Sequence, residues 1–360
     1  MGNLQCGHDE DIVDTSRRRH TRSAVTRGAV SRVAGFAGLV TFGLLFVSLG
    51  PAGAASSIVV GTTGALAGGH AVASAIFEPG SCRSFGPTAG NRHESVFLDA
   101  GHGSIDPGSV GVTESGQTVY EATETLAVEL DALALLRAAG FTVTVSRTRD
   151  SPVARPQPGD VSDGLYTDAG DLRDVASRDI CADMAKADIL IGIYFDAGFS
   201  PSNAGSITGY DTDRPFAADN LRLGTLLQTD VVAAMNAQGW NIPNDGVVSD
   251  TLLGGPALSD AAAAYGHLLL LGPADPGYFS TPSTMPGALI EPLFITDPYE
   301  GTLANSARGQ QVIADGLTTA VEQYFGPPKE PGHPSKKPSA SHGSAGEKTG
   351  SGSHKKDTKP

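Results

Sequence analysis

The chain has 360 residues, 18% of them charged and 40% hydrophobic, with a formal net charge of −14. Its ends are positive, +2 over residues 1–54 and +4 over residues 327–360, so the body between them carries −20; such a body repels phosphate, which excludes nucleic acid as the partner. Three cysteines exclude both a disulfide framework and a cysteine-built zinc ribbon.

Residues 1–54 read as a signal peptide or an N-terminal membrane anchor. Arginines from Arg17 to Arg32 precede the uncharged apolar run Val33–Leu49, and Ala52-Gly53-Ala54 offers the small residues a signal peptidase needs. The run is almost long enough to span a bilayer, although Gly35, Gly38 and Gly43 dilute it. Both readings export the chain across the bacterial cytoplasmic membrane, to the periplasm, the cell wall or the medium. Cys6 precedes this segment, so Cys82 and Cys181 are the pair expected to form a disulfide in an oxidising compartment. Residues 55–93 are rich in Gly, Ala and Ser without a sustained period, and read as a poorly ordered lead-in.

Residues 94–326 alternate apolar runs with amphipathic ones, the pattern of a single α/β domain: a mostly parallel twisted sheet of about six strands with helices on both faces. Strands are expected at Ser95–Asp99, Thr142–Ser146, Ile189–Phe195, Ser206–Tyr210, His267–Leu271 and Ala288–Phe294. Helices are expected at Val119–Ala139, Ala169–Ala187, Ala217–Ala237 and Leu303–Tyr324. The first carries a stripe of Leu126, Leu130, Leu133 and Arg137, has Gly140 where a C-terminal cap belongs, and opens on Thr118-x-x-Glu121, a capping box. The connectors 151–167 and 239–261 are long, which suits the rims of a site. Residues 327–360 hold Pro, Lys, Ser, Gly and His with almost nothing apolar, and read as a disordered, solvated basic tail.

Val96-Phe97-Leu98-Asp99 is a short buried strand that breaks into Gly101-His102-Gly103. This places an imidazole at a strand's carboxyl end, where open α/β sheets bind ligands. His102 there is either a metal ligand or proton carrier, or a turn histidine bonded to nearby backbone. Glu121, opening the first helix, stands at the same edge; its plain reading is a capping glutamate. Glu291 lies in the otherwise apolar Gly287–Phe294 run, where a carboxylate is unfavourable unless paired or working. One histidine and two such carboxylates suggest a metal hydrolase.

From Val96 to Phe325 the chain resembles the zinc-dependent N-acetylmuramoyl-L-alanine amidases, which cleave peptidoglycan stem peptides from muramic acid. Asp99-Ala100-Gly101-His102-Gly103-Ser104-Ile105-Asp106-Pro107-Gly108 follows the family's opening motif, and Glu121 with Leu126 its helix-start glutamate and leucine. Arg147 and Asp150 fall on its T-R-x-x-D, Arg178, Ala182, Asp183, Ala187 and Asp188 on a helical motif, and Glu291-Pro292-Leu293-Phe294 with Glu300 on its late acidic motif.

The resemblance implies a Zn2+ ion on His102, Glu121 and a third group, Glu291 as the catalytic base, peptidoglycan as the partner, and a monomer. The family's third ligand, a histidine, is replaced by Tyr194; Tyr194 itself, Asp196 or His267 could supply the missing donor. A phenol is the poorer ligand at neutral pH, since it titrates near 10. Two rivals follow: a catalytically weakened peptidoglycan-binding or regulatory module, and a metal amidohydrolase of another specificity. Arg178 is expected to be structural, paired with Asp188 or a neighbour. A phosphate-binding glycine loop, a dinucleotide fingerprint, an H-E-x-x-H pair and a nucleophile elbow are absent.

Overall fold

The computed structural model describes residues 65–72, 75–253 and 260–328. The signal or anchor segment and the basic tail lie outside the described residues. Among those described, no helix is long and apolar enough to cross a membrane.

The frame is an eight-stranded mixed sheet. In chain order its strands are β1 (His70–Ala71), β2 (Ser81–Phe85), β3 (Ser95–Ala100), β6 (Thr142–Arg147), β9 (Ile189–Ile193), β10 (Ser206–Tyr210), β11 (Asn244–Ser249) and β12 (Gly287–Glu291). Two small hairpins complete the set, β4 (Val110–Val112) with β5 (Thr118–Tyr120), and β7 (Val161–Ser162) with β8 (Leu165–Tyr166). The sheet order is β1-β2-β6-β3-β9-β12-β10-β11. Strands β6, β3, β9 and β12 run parallel, so their carboxyl ends share one rim. Strand β10 is antiparallel to β12 and β11 is parallel to β10, so those two end at the other rim.

Alternation along the central strands divides the core in two, as a period of 2 demands. Val96, Leu98, Ile189, Ile191, Ile193, Ala288 and Ile290 face one layer, while Phe97, Leu190 and Leu289 face the other. The first layer is closed by α1 (Glu121–Ala138), α3 (Ala217–Asn236) and α6 (Ala307–Phe325), which pack on one another. The second layer is closed by α2 (Asp168–Ala185), assisted by the short α4 (Asp260–Tyr265). A further short helix, α5 (Pro298–Ala304), is capped by the Asp297 side chain and precedes α6.

Several expectations are corrected. The sheet has eight strands, not about six. Part of the lead-in is ordered: β2 pairs antiparallel with β6 across the sheet edge, and Cys82 within it is joined to Cys181 of α2. His267–Leu271 is a turn, not a strand. Leu268, Leu270 and Leu271 cover a sheet face already hydrogen-bonded to its neighbours, and a short apolar run does not by itself separate strand from buried turn. The 239–261 connector holds β11, a half-exposed edge strand that its mixed polarity concealed. The long C-terminal helix is two helices, interrupted where the Ser306 hydroxyl caps α6.

In α1 the buried face is Ala122, Thr125, Val128, Glu129, Ala132, Leu133 and Leu136, turned from the expected stripe so that Leu126 and Leu130 are only half-buried. Gly140 does take the left-handed conformation, with φ +96°. The Thr118 capping box does not form: the N-cap is Tyr120, without a side-chain cap, which leaves Glu121 free for other work.

Candidate active site

His102 is the second residue after β3 and sits at φ +63°, a left-handed bend that turns its ring back over the rim. Two glycines make room for it. A Cβ on Gly101 would lie 2.5 Å from the Tyr194 ring, and one on Gly108 would lie 2.7 Å from both the Glu121 carboxylate and the His102 ring. The imidazole is held at both nitrogens: Nδ1 is 2.6 Å from Asp106 Oδ2, and Nε2 is 3.1 Å from Glu121 Oε1. Burial opposes a charge on this ring, but the Glu121 and Asp106 carboxylates overrule it and raise its pKa to about 10.

Glu121 is nearly buried and anchored by backbone, not by its own helix. Its Oε1 accepts from the Phe195 N–H at 2.9 Å and its Oε2 from the Ser109 N–H at 2.8 Å. Its carboxylate is thereby fixed in place facing Nε2. The plain reading of each residue is replaced: Glu121 does not cap its helix, and His102 meets two carboxylates instead of nearby backbone.

Glu291 closes β12 and is buried at the same rim, with Oε2 left without a partner. Burial and the facing Asp196 push its carboxyl well above the usual carboxylate range. Asp196 is itself pushed up by burial, while its hydrogen bond with Glu291 pulls it back. Phe195 and Asp196 leave the end of β9, and the Asp196 carbonyl accepts from Ile295, which ties this loop to the one after β12. Glu300 holds that second loop by accepting from the Phe294 N–H at 2.7 Å and the Gly205 N–H at 3.1 Å. His102, Glu121, Asp196 and Glu291 line one pocket of about 410 Å³, together with Tyr166 and Leu268 to Leu270.

Tyr194 also lines this pocket, but its hydroxyl is committed to Asp99. Its hydroxyl donates to Asp99 Oδ2 at 3.2 Å, and burial and the Asp99 charge push the phenol well above its ordinary range, so it keeps its proton. It meets His102 as an edge-on ring, 5.2 Å between centroids. His267 does not reach this pocket: its Nδ1 lies beside Asp211 and Asp250 at the other rim.

Below the pocket is a buried polar layer that sequence reasoning did not foresee as a unit. Arg178 pairs with Asp99 at 2.7 Å and Asp174 at 2.8 Å, and donates to the His102 carbonyl at 2.8 Å. Asp188, its expected partner, instead holds Ser95. Arg147 donates to the Gly101 carbonyl at 3.0 Å and to the Ala122 carbonyl at 2.5 Å, bolting the His102 loop to α1. Asp150 accepts from the Ser104 N–H at 2.6 Å. The signal for Asp106 was present: an acid four residues beyond a loop histidine is within reach of its second nitrogen.

The family profile of N-acetylmuramoyl-L-alanine amidases matches residues 96–323, well over half of the chain. The chain belongs to this family. Its activity is accordingly that of a peptidoglycan amidase, in a family that is typically metal-dependent. Among solved structures, the amidase CwlD of Clostridioides difficile, in complex with the GerS lipoprotein, is 21% identical; the match covers 64% of this chain and 98% of that one, with a TM-score of 0.48. The catalytic domain of CwlV from Bacillus (Paenibacillus) polymyxa var. colistinus is 18% identical over 64% of this chain and 98% of that one, with a TM-score of 0.44. Ami1 of Mycobacterium smegmatis is 18% identical over 66% and 99%, with a TM-score of 0.44. No curated protein sequence matches.

The donors of this pocket fit a divalent ion at two points. A carboxylate on Nδ1 and an open Nε2 facing a second carboxylate is the usual preparation of a metal-binding histidine, and one nitrogen with one oxygen suits zinc. The third point departs from the family, because the Tyr194 oxygen is committed to Asp99; of the other loop residues lining the pocket, Phe195, Asp196 and Ala197, Asp196 alone carries a ligand-type side chain.

Proposed function

We propose that the rim formed by His102, Glu121, Asp196 and Glu291 hydrolyses the amide between the lactyl carbonyl of N-acetylmuramic acid and the nitrogen of L-alanine in the peptidoglycan stem. The observation that supports it most is the meeting of His102 Nε2 and Glu121 Oε1 at 3.1 Å in a pocket that also holds a buried, unpartnered Glu291 oxygen. In this reading His102 and Glu121 would hold a Zn2+ ion, and Asp196, whose carboxylate does not lie within 4.8 Å of both those donors, would turn in as the third ligand. Bound there, the ion would polarise the scissile carbonyl and acidify water.

The protein's own groups do the rest. Asp106 keeps the His102 ring oriented through Nδ1, and the N–H groups of Ser109 and Phe195 keep Glu121 from swinging toward solvent. Glu291 takes the proton of the attacking water and returns it to the departing alanine nitrogen; its raised affinity for protons makes it a stronger base than a free carboxylate. Arg178 and Arg147 position the His102 loop through its carbonyls. Action on the cell wall requires export, which the Arg-rich start, the apolar Val33–Leu49 run and Ala52-Gly53-Ala54 support.

The deciding experiment is release of stem peptides with a free N-terminal alanine from purified peptidoglycan, with metal content measured on the same sample. Failure of zinc-loaded wild-type protein to release them sinks the reading. The Tyr194 hydroxyl bond to Asp99 favours one alternative, a weakened module that binds the wall with little turnover. In that case Tyr194→His raises both zinc content and turnover.

A further inference from the structure

Three loops meet at the rim opposite the amidase pocket. Asp211 follows β10, Asp250 follows β11, and His267 follows α4. Ile207 of β10 pairs with Glu291, and Gly209 with Leu289. Asp211 therefore lies level with the start of β12, four residues of strand or roughly 13 Å from Glu291 along the strand direction.

His267 Nδ1 is 3.0 Å from Asp211 Oδ2 and 3.1 Å from Asp250 Oδ2. Both carboxylate side chains are 0% exposed. One ring nitrogen carries at most one hydrogen, so it can satisfy only one of two buried oxygens. Asp250 Oδ2 has the Leu268 N–H as well, at 3.1 Å. Asp211 Oδ2 and Asp250 Oδ1 are left buried with no hydrogen-bond partner. Arg214, the nearest arginine in sequence, donates instead to the carbonyls of Leu271, Gly272 and Ser283. If the nitrogen is unprotonated, its lone pair faces two carboxylates, which is worse still. A cation at their common centre resolves both arrangements.

We propose that Asp211, Asp250 and His267 form a second divalent-cation site, structural in role and of the zinc class, separate from the amidase pocket. Among the described residues this is the one group whose His, Cys, Asp or Glu ligand atoms converge three at a time, all within 4.8 Å of one another. Zinc-to-ligand bonds of about 2.0–2.2 Å put tetrahedral ligand atoms roughly 3.3–3.6 Å apart, a few tenths of an ångström beyond the 3.0 and 3.1 Å separations here. One imidazole with two carboxylates favours a zinc-like ion over calcium or magnesium, which prefer all-oxygen shells. Asp213, whose side chain is 61% exposed and 4.0 Å from Nε2, marks the solvent side from which an ion enters. The ion staples the ends of β10 and β11 to the turn that follows α4. Leu268 to Leu270 of that turn form a wall of the substrate pocket, so the site holds the wall in place.

The test uses the full chain, stripped with a chelator and carrying His102→Ala to silence the amidase pocket. It is titrated with Zn2+, desalted, and assayed for bound zinc per chain and for Tm. The expected result is one firmly bound equivalent and a Tm several degrees higher with zinc. Adding Asp250→Asn, which preserves shape, removes that equivalent and abolishes the zinc-dependent rise; adding His267→Gln does the same. Tail histidines that bind zinc weakly are common to all three proteins, so the difference of one equivalent is the readout. The site is overturned if the His102→Ala protein binds no zinc beyond what Asp250→Asn retains, or if Asp250→Asn keeps the thermal rise. Circular dichroism of the stripped proteins confirms that each is folded. None of these outcomes depends on whether the amidase pocket turns over.

Discussion

The two rims of the sheet each place a histidine among carboxylates, and they do it differently. At the amidase rim each ring nitrogen of His102 meets its own carboxylate, and Glu121 is further held by two backbone N–H groups. At the other rim two carboxylates share one nitrogen and two oxygens are stranded. The first is braced from below by Arg178 and Arg147 and by the Cys82–Cys181 link from β2 to α2. The second is braced at its backbone, by Arg214 on the Leu271, Gly272 and Ser283 carbonyls and by Asn220 on the Asp211 carbonyl. At the amidase rim the His102–Glu121 pair is held and satisfied and the Glu291 oxygen is left open to what enters the pocket; at the other rim the clustered ligand atoms themselves are unsatisfied, which calls for a permanent occupant.

The hardest blow to this contrast comes from Glu291→Gln. It should lower kcat on purified peptidoglycan by about 10²–10⁴-fold while leaving Tm nearly unchanged, because it removes the proton carrier while the amide replaces a buried carboxyl that burial already holds toward its neutral form. Activity within tenfold of wild type would take Glu291 out of the reaction. Next comes the covalent brace. The linked cysteines are 99 residues apart in sequence, and Cys181→Ser should lower stability by about 2–4 kcal/mol, read as a reduced Tm, with activity kept well below the transition. A Tm indifferent to Cys181→Ser and to reductant would show that the amidase rim does not depend on that link.

Tyr194→Phe tests the third ligand at a smaller scale. Deleting a hydroxyl that only bonds Asp99 should lower stability by about 1 kcal/mol and leave zinc content at the amidase rim untouched. Loss of zinc in this variant would mean that the phenol turns to the ion after all. The smallest effect concerns pH. Burial raises the pKa of Glu129, beneath the His102 loop, to about 8 and that of Glu124 to about 7. The folded chain keeps protons there that the unfolded chain releases near 4.5, so these groups make Tm fall as pH rises from 5 to 8. Glu129→Gln should flatten part of that slope in a calorimetric series; an unchanged slope would mean that Glu129 is ionised in the native state throughout.

Much of the amidase rim was legible because its parts are local. A glycine-flanked histidine after an apolar strand, a glutamate opening the next helix and a carboxylate inside a buried strand each announce themselves within a few residues. What misled was also local. Thr118 and Glu121 have the spacing of a capping box, but the N–H groups that claim Glu121 come from Ser109 and Phe195, across the rim. The leucines 268–271 have strand composition, but the sheet face they cover was already paired. His267 was weighed as a ligand for the wrong rim, since nothing in sequence tells whether a strand runs with or against its neighbour.

By itself, then, the sequence determined an acidic α/β body with amidase motifs, because strand alternation and loop chemistry act over a handful of residues. The tertiary structure alone decided where those motifs point: that the Tyr194 hydroxyl faces Asp99 and not the His102–Glu121 pair, and that β10 reverses to carry Asp211 and its partners to the opposite rim. Strand direction and ring orientation follow from packing between segments far apart in the chain, and local pattern carries no record of that packing.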